Sequence, residues 1–160
     1  MGFRIGQSED IHRLEDNQRA FILGGVKIPY HLGLVSHSDG DVVYHALAEA
    51  FLGALALGDL GTFFPDNSDL YLDMDSSLIL KRCYEMVLEK GYHLVNADIS
   101  IILEKPKIKD YILQIRTNIA EALKTDIDNI SVKAMTNEKC DDLGNGKCVK
   151  ATAIVLVERD

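Results

Sequence analysis

Two short stretches carry the residue types that do chemistry: EDIHR, Glu9 to Arg13, and SHSDGDVVYH, Ser36 to His45. In an extended segment side chains alternate, so Asp10 and His12 share one face. A carboxylate and an imidazole side by side, joined by one further donor, give a three-ligand divalent-metal site with an open fourth position, as in catalytic zinc centres. His45 is the candidate third donor. It falls in the first turn of an apolar helix, where an unpaired imidazole would be costly. Glu49 is one turn further on the same face and is expected to accept the second N–H of His45. On spacing alone a second reading stands beside this one. Asp-x-His in a strand and a histidine at a helix start also occur as ordinary satisfied polar groups, and Asp39 and Asp41 suit a helix N-terminus. His31 and His93 fall in loop or strand-edge positions and are expected in solvent.

Other residues offer phosphate and polyol chemistry. Lys105, Lys107 and Lys109 alternate around Pro106 in EKPKIKD, an anion site or a solvated loop. Thr136 and Glu138 follow a strand, where a hydroxyl can meet a phosphate oxygen and a carboxylate can hold Mg²⁺. Asp59, Asp66 and Ser68 give the FFPDNSD region groups suited to a polyol. The sequence has no Walker loop, GxGxxG, GxSxG or HExxH, and no serine or cysteine nucleophile with an evident base. Chemistry here would use a nucleophile carried by the substrate.

The elements that must position these groups follow from periodicity and punctuation. FRIGQSEDIHRL reads as a strand running into a loop, and RAFILGGVKIP as a hairpin around Gly24-Gly25. Val42 to Leu57 is apolar nearly all round, so a buried helix is expected. Ser38 and Asp41 stand before it in capping-box form, and Gly58 is expected to close it. DLGTFFPDNSD reads as a loop. Ser76 to Lys90 is a second helix ended by Gly91. Val95 to Leu103 is a strand whose ISIIL run suggests cover on both faces. Tyr111 to Lys124 is a third helix, with Ile112, Ile115, Ile119 and Leu123 on one stripe, and Ile130 to Thr136 and Val149 to Val157 are strands. This order predicts a layered α/β sandwich, of α+β type, in one domain spanning 1–160.

The chain has 160 residues, 47% hydrophobic and 26% charged, with net charge −8. That acidic balance argues against nucleic-acid or acidic-membrane partners. Without a transmembrane run or signal-peptide pattern, the expectation is a soluble cytoplasmic protein. Cys83 falls in a helical pattern and is expected in the core. Cys140 and Cys148 flank a Gly-rich turn and could pair or bind a metal. A reducing compartment favours free thiols.

DIHR, LGGVKIPY, SHSDGDVVYHAL, ALGDLGTFFPD, the DSS before the second helix, KGYHLVNADISII, KPK and VKAMTNEK occur in an order and spacing that resembles the 2-C-methyl-D-erythritol 2,4-cyclodiphosphate synthase family, over essentially the whole chain. The resemblance implies conversion of 4-diphosphocytidyl-2-C-methyl-D-erythritol 2-phosphate into the cyclic diphosphate and CMP, in non-mevalonate isoprenoid biosynthesis. The substrate's own 2-phosphate is the nucleophile. It implies Asp10, His12 and His45 as ligands of Zn²⁺, and Glu138 as a ligand of Mg²⁺ or Mn²⁺ on the diphosphate. His37 and Thr136 match the transition-state stabilisers, with Ser38 beside the phosphate and Ile11 between the two strand ligands. Asp59, Leu60 and Gly61, then Phe64, Pro65, Asp66, Asn67 and Ser68, match the methylerythritol loops. Leu103, Glu104, Lys105, Pro106, Lys107, Ile108 and Lys109, with Met135, Thr136, Asn137 and Glu138, match the cytidine-diphosphate pocket. The implied assembly is a homotrimer, with one sheet per subunit packed around a threefold axis, helices on the other face, and active sites between subunits.

The chain departs from the family pattern in CDDLGNGKC. Asp142 stands where a phenylalanine is expected and Asn145 where a phosphate-binding arginine is expected. Met135 and Asn137 replace threonines common beside Thr136. An Asp near a diphosphate repels it and an Asn lacks the arginine's charge, so either affinity falls or Lys147 rebuilds the site. The alternative function is a non-catalytic relative that binds zinc and an isoprenoid diphosphate. A zinc-dependent phosphohydrolase is a third reading.

Overall fold

The computed structural model describes residues 2–160. The order is β1 Gly2–Glu15, β2 Phe21–Leu23, β3 Val26–Ile28, β4 Gly33–Leu34, α1 Val42–Ala54, α2 Leu60–Phe63, α3 Ser76–Glu89, β5 His93–Ile102, α4 Ile112–Leu123, β6 Ile130–Met135, α5 Asp141–Gly144 and β7 Cys148–Arg159. Five strands form one sheet in the order β4-β1-β7-β5-β6, and β2 and β3 form a separate hairpin. The β5–β6 pair is parallel, and the other pairs in that sheet are antiparallel. The fold is mixed α/β, as the element order predicts. Among the described residues, no helix is long and apolar enough to cross a membrane.

Helices cover one face of the sheet. Val149, Ala151, Ala153, Val155 and Val157 of β7 and Ala97, Ile99 and Ile101 of β5 are buried beneath them. Helix α1 lies across β1 and β7, and its mostly Ala, Leu and Val sequence is buried on nearly every side. The opposite face is open in the single chain. There Phe3, Ile5 and Ile11 of β1 are 56%, 68% and 52% exposed, and Ile154 of β7 is 46% exposed. The ISIIL run is therefore not covered on both faces within one chain: Ile99 and Ile101 are buried, while Ser100 and Ile102 on the other side are half-buried.

Local rules explain several boundaries that differ from the sequence reading. The FRIGQSEDIHRL stretch does not run into a loop but stays in β1 throughout. That strand pairs with β7 from Gly2↔Arg159 to Arg13↔Cys148. Helix α1 ends at Ala54 rather than at Gly58. Leu57 N donates to Leu52 O and Ala56 N to Gly53 O, the two bonds of a Schellman closure. Ala56 takes the left-handed position at φ 55°, so the motif is closed without a glycine. The DLGTFFPDNSD stretch is not wholly irregular, since Asp59 caps α2 through Thr62 N.

The approach of α1 to β1 depends on Gly6. A Cβ there would lie 1.9 Å from Ala50 O and 2.7 Å from Ala54 N. Both are helix backbone atoms and cannot swing aside. Gly6→Ala is expected to push α1 off the sheet, at about 2–3 kcal/mol, the upper part of the overpacking range. Urea unfolding checks this; a midpoint equal to that of the parent would mean the helix shifts freely.

Candidate active site and metal centre

Asp10 and His12 stand on the helix-covered face of β1, and His45 reaches them from the first turn of α1. Asp10 Oδ2 lies 3.0 Å from His12 Nε2 and 3.0 Å from His45 Nδ1. One ligand atom from each of the three residues lies within 4.8 Å of the others. Donors at bonding distance from one tetrahedral zinc ion are about 3–3.5 Å apart, so the set is already near coordination spacing. His12 Nε2 is buried without a hydrogen-bond partner, because its approach to Asp10 Oδ2 is not along a hydrogen-bond direction. A buried imidazole nitrogen left this way fits a metal ligand better than a structural polar group.

Electrostatics agree. Burial raises the Asp10 carboxyl, but the close approach of His12, the hydrogen bond from His45 and the charge of both rings outweigh it and hold it at about 2. Burial disfavours charge on His45, but the Asp10 carboxylate more than offsets this and moves the imidazole above its ordinary value. The pocket favours positive charge beside Asp10, which a proton or a metal ion can supply. The residues fit a divalent cation bound through Asp10 Oδ2, His12 Nε2 and His45 Nδ1.

The loop before α1 is braced from several sides. The Arg19 guanidinium donates to the carbonyl oxygens of Ser36 and Ser38. The helix cap is Asp41 itself, not a Ser38–Asp41 box. Asp41 Oδ1 accepts from Val43 N and Tyr44 N, whereas the Ser38 hydroxyl meets His45 Nε2 at 3.1 Å. Asp41 also accepts from Gly24 N and Gly25 N, tying the hairpin to the helix. Its burial is complete and raises the carboxyl to about 6, against the pull of these backbone N–H groups. Glu49 does not serve His45. Its carboxylate accepts from Ser8 Oγ at 3.0 Å and Leu60 N at 3.2 Å, because the side chain turns toward β1 and the start of α2.

The metal residues line a cavity of about 230 Å³, with His37, Ser38, Leu60, Gly61, Phe64 and Asp66 around it. His37 Nε2 donates to the Ser68 carbonyl oxygen at 3.0 Å. Asp59, Pro65, Asn67 and the Ser68 side chain stand outside that lining. Ile11 has its side chain on the open face of the sheet, as alternation requires. A second cavity, of about 350 Å³, is bounded by Leu103, Glu104, Pro106, Lys107, Ile108 and Lys109 on one side and Met135 and Thr136 on the other. Asn137 N donates to Glu104 Oε1 at 3.0 Å, which joins the two loops. Glu138 is exposed, with φ 51°, beside Thr136. Lys105 and Asn145 line a separate shallow cleft together with Lys139. Asp142 is paired with Lys147 at 3.2 Å, both exposed.

The two cavities share no lining residue. Asp10 pairs with Ala151, Ala151 with Ile101, and Ile101 with Ala134, so three strand spacings separate β1 from β6, about 14 Å. One chain does not bring the Asp10 triad together with Thr136 and Glu138. Sequence reasoning also missed Ser76, whose hydroxyl lies 2.8 Å from His45 Nε2. The available signal was a serine on the buried stripe of α3, in register with Ile79, Leu80 and Cys83. The three cysteines are free, with Cys83 and Cys148 buried and Cys140 exposed.

A family model described as the YgbB family matches residues 3–158. A 2-C-methyl-D-erythritol 2,4-cyclodiphosphate synthase from Brachyspira hyodysenteriae is 47% identical over 156 residues, 98% of each chain. One from Geobacillus is 46% identical over 157 residues, covering 98% of this chain and 99% of that one. The solved IspF–CDP complex from Plasmodium falciparum superposes with a TM-score of 0.87 at 37% identity, over 99% of this chain and 97% of that one. Bifunctional IspDF from Campylobacter jejuni gives a TM-score of 0.94 at 36% identity over 99% of this chain, which spans 43% of that longer protein. Near full-length identity of this order, with the Asp-x-His and helix histidine meeting in one cavity, places the chain in the YgbB family, among the 2-C-methyl-D-erythritol 2,4-cyclodiphosphate synthases.

Proposed function

We propose that this protein converts 4-diphosphocytidyl-2-C-methyl-D-erythritol 2-phosphate into 2-C-methyl-D-erythritol 2,4-cyclodiphosphate and CMP, with residues 1–160 acting as one catalytic domain in the cytoplasm. The observation that carries this is the convergence of Asp10, His12 and His45 beside His37 and Ser38 in one cavity. In the reaction an oxygen of the substrate's 2-phosphate bonds to its β-phosphorus. The bond from that phosphorus to the oxygen shared with the α-phosphate breaks, and CMP leaves with that oxygen. This makes it a phosphorus–oxygen lyase reaction. The protein's task is to fold the substrate and hold the groups in line.

The donor set suits Zn²⁺ at Asp10, His12 and His45, while Glu138 offers a single carboxylate for Mg²⁺ or Mn²⁺ shared with the diphosphate. Bound metal ions would neutralise phosphate oxygens and charge developing on the leaving group. His37 and Ser38 would place donors at the 2-phosphate, Thr136 would place its hydroxyl at the diphosphate, and the Leu60–Asp66 loop would hold the methylerythritol. The Leu103–Lys109 and Met135–Glu138 loops would hold the cytidine diphosphate. The strands that carry the two cavities lie about 14 Å apart in one chain, and facing cavities of neighbouring copies would bring the two sets of groups around one substrate. The open sheet face, with Phe3, Ile5, Ile11 and Ile154 exposed, supports a homotrimer closed through it.

CMP release from the diphosphocytidyl substrate with Mg²⁺ present tests the reading. CMP with the cyclic diphosphate supports it. Inorganic phosphate would indicate a phosphohydrolase, and zinc retention without turnover a binding protein. The atypical 140–148 loop gives a second check. Lys147 is neutralised by Asp142, an exposed pair contributing about 0–1 kcal/mol, so Lys147→Ala is expected to change KM less than about threefold. A tenfold rise would mean Lys147 leaves Asp142 for the substrate.

A further inference from the structure

We infer that Ser76, oriented by Asp39, accepts the Nε2 proton of His45 and so holds the ring with Nδ1 toward the metal, an inference that rests on the metal reading above. Ser76 is completely buried at the first position of α3. Its Oγ is 2.8 Å from His45 Nε2 and also touches Asp39 Oδ1. A hydroxyl has one proton to give, and a carboxylate only accepts. The contact between Ser76 and Asp39 therefore takes the serine proton, in a charge-assisted bond. The contact with His45 must then be made by a proton on Nε2, donated to Ser76 Oγ. Ser38 Oγ, 3.1 Å from the same nitrogen, is a second and longer acceptor.

Asp39 cannot turn away to relax this order. Its Oδ1 accepts from Asp41 N at 3.0 Å and its Oδ2 from Ser76 N at 3.0 Å, so both oxygens are pinned by backbone. With the proton on Nε2, a neutral imidazole carries its lone pair on Nδ1. That atom is turned to Asp10 Oδ2, 3.0 Å away on the side of His12; in the absence of a metal it donates a proton there, because a carboxylate only accepts, and a bound ion would take that proton's place. The opposite tautomer would require Ser76 to leave the Asp39 carboxylate. Metal-binding histidines usually donate their other N–H to a carboxylate, carbonyl or water. Here the carboxylate acts one residue removed, through the Ser76 hydroxyl, and the relay locks the loop before α1 to the start of α3. Ser76 and Asp39 are positioning residues; neither touches the metal or the cavity.

The test reads the proton and the metal separately. In wild-type protein with ¹⁵N-labelled histidine, long-range ¹H–¹⁵N correlation should find a proton on His45 Nε2, both zinc-loaded and metal-free. Ser76→Ala should speed exchange of the Nε2 proton with water and weaken zinc binding about 10- to 100-fold, measured by competition with a chromophoric chelator. Ser77→Ala, the neighbouring change, should stay within about twofold of wild type. An Nε2 without a proton in wild type overturns the inference, as does Ser76→Ala that folds and binds zinc within twofold of wild type. If Ser76→Ala does not fold, the wild-type proton position decides. If wild type binds no zinc, the metal reading fails, and the metal-free proton position still decides the relay.

Discussion

His45→Ala is expected to abolish zinc retention and lower kcat for CMP release by at least about 10³-fold, equivalent to about 4 kcal/mol of transition-state stabilisation. The substitution removes Nδ1 from a three-donor set, leaving Asp10 and His12 on one strand to hold a cation alone. It also leaves the Asp10 carboxylate without the His45 partner that helps to hold it ionised at about 2. Folding should survive. Alanine is the best helix former, and the buried apolar residues that seat α1 on the sheet are unchanged. Metal content by elemental analysis, CMP release and urea unfolding should therefore separate, the first two lost and the third kept. Chelation of wild type should reproduce the loss of turnover, with recovery on adding Zn²⁺, whereas the variant should not recover. Full turnover from a folded, zinc-free His45→Ala would remove the metal from the mechanism.

The donors of this site were legible because each rests on a local rule. Strand alternation puts Asp10 and His12 on one face wherever the strand ends, and an apolar helix with one early histidine brings that residue inward. Glu49 shows where the rule stops. Helical spacing correctly places it one turn from His45, but its partner is chosen by what α1 packs against, and Ser8 and Leu60 lie closer to its carboxylate. Ser76 is the converse. Its contact with His45 spans 31 positions, and no periodicity within α3 marks a serine as a neighbour of α1. The closure of α1 at Ala56 rather than Gly58 was hidden for another reason: a Schellman turn stabilised by its two backbone bonds can place alanine at positive φ. The strand order was hidden too. β7, last in the chain, lies between β1 and β5, a pairing set by long-range burial. The separation of the two cavities follows from that insertion.

Asp41→Ala is expected to lower stability by about 4 kcal/mol, because one side chain serves two elements. Losing a helix N-cap costs about 1–2 kcal/mol. The Gly24 and Gly25 N–H groups, now satisfied by the two Asp41 oxygens, would add about 1–3 kcal/mol each if left without partners. Those glycines cannot yield position to find new ones. Both have positive φ, and a Cβ on Gly24 would lie 2.4 Å from Ile115 Cγ2. Asp41→Asn separates charge from geometry. It keeps one acceptor but turns an NH₂ toward a backbone donor. Its pH dependence should also differ. The Asp41 carboxyl is raised from 3.8 to about 6, so the native state holds its proton more tightly than the unfolded chain does. Its contribution is therefore greatest below about pH 4 and declines as pH rises through 6. The stability advantage of wild type over Asp41→Asn, read from urea unfolding at each pH, should shrink across that interval. A constant difference from pH 4 to 7 would mean that the backbone N–H groups hold Asp41 ionised throughout, and that the helix is capped by a full negative charge.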